Sequence, residues 1–379
     1  MKLLVNAAPL TGLLTGISRY LRNLYAQLMT LPAFEVHFFD GKHIHQRMPR
    51  QAEPGTWIRS TEAVWRLPDA AVVGLRSLHW LLYEFRLNTK LRGHYDVYHE
   101  TAFTPAKIRR QTPQVFTLHD LSLMHYRQYH PKERVWFSDI FFNRRLPEAD
   151  HIIVPSTYIK NEVRTYLKVP EGRISVIHEA PDPFFYPRTP EQVETVRNKL
   201  CLPAGYLFFV GTLEPRKNLA LLIEAMRRLP PDTHLVLAGW KGWGERGWQD
   251  KIAGYGLSGR VHFTGYIDEE ALACLYSGAS ALVYPSFYEG FGLPLLEAMA
   301  SGCPVICSDA ACLPEVAGDA ALYFNPKSVD ALVEQIRRVL TDSDLAEKMR
   351  AAGRQQAARF SWQTAAKKTA AVFKQLARP

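Results

Sequence analysis

An almost unbroken apolar run, Tyr206–Val210, followed by a polar loop and a helix-period stretch over about 218–229, constrains this chain most. Runs of the same kind recur at 234–238, 261–264 and 281–284, and Val305 and Ile306 mark another. A strand that is apolar on both faces is a strand covered on both faces, so these runs imply a parallel sheet between helical layers. The first half repeats the plan more loosely, with strand-like runs at 2–7, 35–40, 96–99, 114–118 and 151–154 and helical stretches at 17–29 and 132–146. Residues 41–69, rich in charge, Pro and His, read as irregular. Pro181, Pro183, Pro187 and Pro190 fall within ten residues and read as a linker. At 379 residues the chain exceeds what one hydrophobic core serves. The expectation is therefore an α/β protein of two doubly wound domains, 1–184 and 185–361. A C-terminal helix at about 362–379 is a candidate to pack back on the first.

No run approaches the roughly 20 apolar residues that span a bilayer. The apolar start Met1-Lys2-Leu3-Leu4-Val5 is broken early by Asn6, Pro9 and Gly12. It reads as a first buried strand and a turn rather than a signal peptide, which places the protein in the cytoplasm. The five cysteines are odd in number, and Cys303, Cys307 and Cys312 lack metal-ligand spacing, so they read as buried free thiols. Net charge is +9, and residues 1–184 carry 24 Lys and Arg against 17 Asp and Glu. That excess suits an anionic membrane, an anionic substrate or a nucleic acid. No basic–aromatic module or recognition helix supports the last.

Ligands of open parallel sheets bind beyond the carboxyl ends of the strands. Two loops there carry unusual polar residues: Gly211-Thr212-Leu213-Glu214-Pro215-Arg216-Lys217-Asn218, and Pro285 through Pro294. Arg216 and Lys217 precede a helix, where cations oppose the dipole unless an anion lies between. Phosphate is the natural anion, and a solvated charge pair is the plain alternative. Gly290 and Gly292 allow close backbone approach, and Pro294 suits the first turn of a helix whose free N–H groups face the loop. Glu297 lies one turn inside that helix. Periodicity alone leaves it open between a functional group and a solvated helix surface.

The second half resembles the retaining GT-B glycosyltransferases of family four, in particular bacterial mannosyl- and rhamnosyl-type transferases of polysaccharide assembly. The matching segments are Gly211 to Asn218, Thr264-Gly265-Tyr266-Ile267, and Pro285-Ser286 on through Glu297 to Val305. Glu289 and Glu297 form the E-x7-E signature of that family. The resemblance implies two Rossmann-like domains facing each other across a cleft, with a nucleotide-sugar donor held by the second. Arg216 and Lys217 would neutralise the donor diphosphate in place of a metal, so no cofactor is expected. Glu297 would hold the ribose, and Glu289 a hydroxyl of the transferred sugar. The backbone of Gly290, Phe291, Gly292 and Leu293 would meet sugar and phosphates, while Tyr266 and Ile267 would lie at the base. In the first half, Gly16-Ile17-Ser18-Arg19-Tyr20 resembles the family's glycine loop, which places Gly16 near the donor. His119, in His119-Asp120, matches the histidine that faces the transferred sugar; alone it reads equally as a satisfied core histidine. Catalytic roles thus fall to His119, Glu289, Arg216 and Lys217.

Ile177-His178-Glu179-Ala180-Pro181-Asp182 departs from the family's usual Pro-Asn-Gly-Val-Asp. The Trp-rich stretch Trp240-Lys241-Gly242-Trp243 to Trp248 resembles members that take mannose-like sugars from GDP donors. Asp342-Ser343-Asp344 matches the Asp-x-Asp of metal-dependent transferases literally, yet its place at a helix start marks a cap. The resulting expectation is a retaining hexosyltransferase, most simply moving mannose from a GDP donor to a growing, lipid-linked glycan such as O-antigen. The stretch 77–86, with Lys90 and Arg92 beyond it, mixes apolar and basic residues. It is a candidate helix for peripheral contact with the anionic cytoplasmic face of the membrane, or an ordinary core-packing helix. A sugar-nucleotide epimerase on the same fold and a basic nucleic-acid-binding protein are the alternative readings.

Overall fold

The computed structural model describes residues 1–12, 16–49, 67–91, 95–109, 112–240, 242–243 and 247–377. Residues 50–66 of the stretch read as irregular, Arg92, and Lys241 and 244–246 of the Trp-rich stretch lie outside the described residues. The chain divides into two units, Met1–Glu179 with Trp362–Pro379, and Ala180–Ser361.

The first unit is built on a seven-stranded sheet. Its strands are β1 (Lys2–Asn6), β2 (Glu35–Phe39), β3 (Ile44–His45), β4 (Val97–Glu100), β5 (Gln114–Thr117), β6 (His151–Val154) and β7 (Ile174–Val176). Their order is β3-β2-β1-β4-β5-β6-β7, and only the β2–β3 pairing is antiparallel. β3 corrects the irregular reading of residues 41–69. Asp40 turns the chain there: its Oδ1 accepts from Lys42 N and His43 N, both at 2.7 Å, and its Oδ2 lies 2.7 Å from His45 Nε2. Such side-chain capping of a reversal allows strand pairing without an apolar run.

The helix Trp362–Leu376 belongs to this unit. Its Phe373 ring packs on His99 and Phe34, and its Trp362 ring on Tyr20. The helix Asp69–Lys90 buries Val72, Tyr83 and Leu87, the last two in one cluster with Leu4, Phe39 and Tyr98. Arg145 grips its buried Glu84 through both carboxylate oxygens, at 2.8 and 2.9 Å. Its remaining surface exposes Leu75, Leu78, Leu81, Leu82 and Phe85, the last at 68%. Core packing and an exposed apolar surface thus coexist on one helix.

The second unit carries a six-stranded, wholly parallel sheet. Its strands are β8 (Tyr206–Val210), β9 (His234–Ala238), β10 (Val261–Gly265), β11 (Ala281–Tyr284), β12 (Val305–Ser308) and β13 (Ala321–Phe324), in the order β10-β9-β8-β11-β12-β13. Alternate residues of β8 feed two cores: Tyr206 and Phe208 join one cluster, Leu207 and Phe209 the other. This is the two-sided burial that its apolar run implied. Pro190 does not extend an irregular linker. It opens the helix Pro190–Lys199 behind a capping box made by Thr189 and Gln192. Asp342 caps the helix Ser343–Ala357, its Oδ1 accepting from Leu345 N at 2.9 Å.

In this unit the strand order reverses between β8 and β11. That switch point is where a doubly wound sheet opens a crevice beyond its strand ends. The two polar loops leave those two strands.

Candidate functional site

The loop after β8 is held in place by its own backbone and by neighbouring loops. A short turn, Pro215–Lys217, precedes the helix Leu219–Arg228, and Asn218 joins them in left-handed conformation at φ 57°. Asn218 tolerates that conformation, and its amide donates to Pro285 O and Pro326 O at 3.1 and 2.8 Å. Arg216 and Lys217 thus stand in a separate turn, one residue ahead of the helix. The backbone of Arg216 meets the β11 loop directly, its O accepting from Phe287 N at 2.9 Å. Gly239, past β9, has φ +137°, and a Cβ there would stand 2.0 Å from Gly211 O. The neighbouring chain therefore closes on the β8 loop only through a bare backbone.

Arg216 and Lys217 are not a solvated pair; each is 8% exposed. The anion that answers them here is Glu289, itself buried. Lys217 Nζ lies 2.6 Å from Glu289 Oε1, and Arg216 Nη1 lies 3.1 Å from Oε2. Lys217 Nζ also donates to Tyr284 Oη at 2.7 Å, and Arg216 Nη2 to Glu214 Oε1 at 2.5 Å. Arg216 Nη1 donates further to Tyr288 O. Two cations and two carboxylates thus balance in a buried cluster. Burial would push the Glu289 carboxyl up, but Lys217 and Arg216 prevail and bring it down to about 2.

The β11 loop is braced from beneath. Cys312 Sγ stands 3.1 Å from Glu289 O and 3.2 Å from Phe291 O, and Ser308 Oγ donates to Ser286 O at 2.6 Å. Gly292, at φ +97°, is the residue from which the helix Leu293–Ala300 starts, with Pro294 in its first turn. One turn in, Glu297 is 2% exposed, so its carboxylate is no solvated surface group. Tyr276 Oη donates to its Oε2 at 3.0 Å. Tyr266 and Ile267 follow β10, Tyr266 at 40% exposure and Ile267 packed against the core.

Gly16 and His119 lie in the first unit. Gly16 begins the helix Gly16–Leu28, and among the described residues nothing beyond its own helix backbone and chain neighbours comes within 4 Å of where its Cβ would be. His119 sits two residues beyond β5. Its Nδ1 stands 3.3 Å from Glu179 Oε1, and the Tyr20 ring meets it edge-on at 5.0 Å. Beneath lies a buried hydrogen-bonded chain: Tyr25 Oη to His99 Nδ1 at 2.6 Å, His99 Nε2 to Thr117 Oγ1 at 2.8 Å, and Thr117 Oγ1 to Tyr20 Oη at 3.0 Å. Burial, aided by nearby His119, pushes the His99 imidazolium down to about 3, so that ring stays neutral.

The structure therefore brings Arg216, Lys217 and Glu289 into one cluster and places Glu297 on the helix that the same loop leads into. Sequence reasoning missed Glu214, Tyr284, Tyr276 and Glu179, the partners that fix these side chains. Glu214 stood inside the polar loop, two residues before Arg216. Glu179 stood in the departure at 177–182, and Tyr284 and Tyr276 are distant in sequence from the residues they hold and carried no signal.

Known proteins bear on both units. The family model described as Glycosyl transferases group 1 matches residues 195–356, and that described as Glycosyltransferase Family 4 matches residues 14–183. O-antigen chain mannosyltransferase B of Escherichia coli is 34% identical over 388 residues, covering 99% of this chain and 100% of that protein. MMP alpha-(1->4)-mannosyltransferase of Mycolicibacterium hassiacum is 28% identical over 350 residues, covering 86% of this chain and 81% of that protein. Among solved structures, sucrose-phosphate synthase from Thermosynechococcus elongatus shares the fold, with TM-score 0.76 and 23% identity over 99% of this chain and 98% of that one. Two Rossmann-like sheets with these neighbours make up the GT-B fold.

Proposed function

The chain belongs to the group 1 and family 4 glycosyltransferases, and from that premise we propose a retaining, metal-independent mannosyltransferase that uses a GDP-linked donor and extends a lipid-linked glycan of O-antigen type. The observation that carries this reading is the buried Arg216–Lys217–Glu289 cluster at the switch point of the second sheet. The names of the two mannosyltransferase relatives support the choice of sugar.

Sugar transfer breaks the anomeric C–O bond and leaves charge on the diphosphate. Arg216, Lys217 and the N-terminal end of the helix Leu293–Ala300 stabilise that charge as it forms. Glu289 keeps the two cations aligned and offers its carboxylate to a hydroxyl of the transferred sugar. Glu297 holds the ribose. Gly290, Phe291, Gly292 and Leu293 supply backbone to sugar and phosphates, Tyr266 and Ile267 to the base, and Gly16 approaches the donor. His119 contacts the transferred sugar. Both oxygens of Glu289 are engaged by Lys217 and Arg216, which supports attack on the face the phosphate leaves, without a covalent intermediate on that carboxylate. Asp342, occupied as a helix cap, supports a metal-free reaction. The test is transfer from GDP-mannose to a lipid-linked acceptor in the presence of chelator, with the product's anomeric configuration read by NMR. Retention at full rate is expected. Inversion, or activity that vanishes with chelator and returns with magnesium, refutes the mechanism.

Among the described residues no helix is long and apolar enough to cross a membrane. The exposed leucines and Phe85 of Asp69–Lys90, with Arg86 and Lys90 on the same helix, support peripheral association with an anionic bilayer. The protein should sediment with anionic liposomes at low salt and be released by replacing Leu78 and Phe85 with serine. Equal binding by parent and double variant refutes that contact.

A further inference from the structure

The departure at 177–182 places a carboxylate where it can act on His119. Glu179 follows β7 by three residues and His119 follows β5 by two, with β6 between those strands. Glu179 is buried, and its Oε1 stands 3.3 Å from His119 Nδ1, within ion-pair distance. The other ring nitrogen, Nε2, is buried and has no hydrogen-bond partner among the described residues. Edge-on contact with Tyr20, whose hydroxyl is held by Thr117, restricts rotation of the imidazole. One nitrogen thus faces a carboxylate, and the other is left without a partner among the described residues.

We propose that Glu179 is the positioning residue of His119: its carboxylate keeps the ring proton on Nδ1 and leaves Nε2 to accept a hydrogen bond from a hydroxyl of the transferred sugar. A carboxylate beside one imidazole nitrogen selects the tautomer in this way wherever the second nitrogen has to receive a ligand. Nothing is transferred covalently; the sugar hydroxyl donates and Nε2 accepts. The inference rests on the proposed role of His119 at the donor sugar, but the tautomer it predicts exists without substrate.

The experiment has two readouts on the full chain. With 15N-labelled histidine, and the His119 signals assigned by their loss in His119→Gln, long-range 15N–1H spectra well above the titration of a free imidazole report which nitrogen carries the proton. In the parent, Nδ1 should be protonated and Nε2 bare. In the isosteric Glu179→Gln, whose amide can present its N–H2 to Nδ1 as well as its oxygen, Nε2–H should become populated. The kcat of that variant should fall on the order of tenfold to hundredfold, as for loss of a partner that orients a functional histidine, with donor KM changed less than about threefold. Glu179→Asp should recover part of both effects, and it takes over the test if Glu179→Gln does not fold. An unchanged tautomer in the variant overturns the proposal, as does a kcat equal to the parent's. If the parent transfers no sugar from any donor, the functional reading fails, and the tautomer still decides the pairing.

Discussion

Replacing Lys217 with alanine is expected to lower kcat by roughly 10²- to 10³-fold, the range for removing one preorganised group that stabilises developing negative charge. Donor KM should move far less, because the positions proposed to meet base and ribose are untouched. The same substitution should also lower stability, for a reason visible in the ligand-free protein. Lys217 Nζ lies 2.6 Å from Glu289 Oε1 in a buried cluster, and breaking a buried pair strands the other charge at a cost of about 3 kcal/mol or more. The two effects separate in the double variant Lys217→Met, Glu289→Gln, which removes both charges. Its melting temperature should recover while transfer stays low. Acid denaturation gives an independent check. The Glu289 carboxyl goes from the ordinary 4.5 to about 2 on folding, so its contribution is fully present above about 4.5 and is lost as pH falls toward 2. In Lys217→Ala the folded carboxyl moves back up toward the ordinary value, so this acid-dependent part of the stability should shrink. Parent-like turnover in Lys217→Ala would remove the leaving-group role.

The second large effect falls on donor affinity. Glu297→Ala should weaken binding of the nucleoside diphosphate by about 10- to 100-fold in calorimetry, the worth of one or two hydrogen bonds to a charged acceptor. At saturating donor, kcat should stay within a few-fold of the parent. Glu297 is 2% exposed, and one of its oxygens already accepts from Tyr276 Oη. Tyr276→Phe should therefore show the same loss in weaker form, by freeing a carboxylate rather than deleting it. Equal donor affinity in parent and Glu297→Ala would defeat the assignment. With both results in hand, the two glutamates of the E-x7-E pair are distinguishable: one steadies the cations at the leaving group, the other grips the nucleoside.

Much of this arrangement was legible in the sequence, and the gaps have physical causes. β8 could be read because alternate residues enter two cores, which leaves no polar position within it. β3 could not: it is two residues long and rests on an aspartate turn rather than on apolar content. The helix Asp69–Lys90 was ambiguous because apolar residues surround it, and periodicity does not say which side the core takes. Arg216 and Lys217 stood out as cations opposing a dipole. Glu214, one counter-ion, lies in the same loop, but Glu289, the carboxylate both cations share, comes from another strand's loop, and no local pattern reports such a meeting. The same holds for Glu179 and His119, which share a site only because β5, β6 and β7 are neighbours.

The helix Trp362–Leu376 bears on how the chain comes to be folded. It completes the first unit although it follows the whole of the second in sequence. During synthesis the second unit can close as soon as residue 361 has left the ribosome. The first waits for Trp362 and Phe373 to reach Tyr20 and His99. The surroundings of His119 are therefore assembled last, and a chain released early would carry a finished second unit and an unfinished first one.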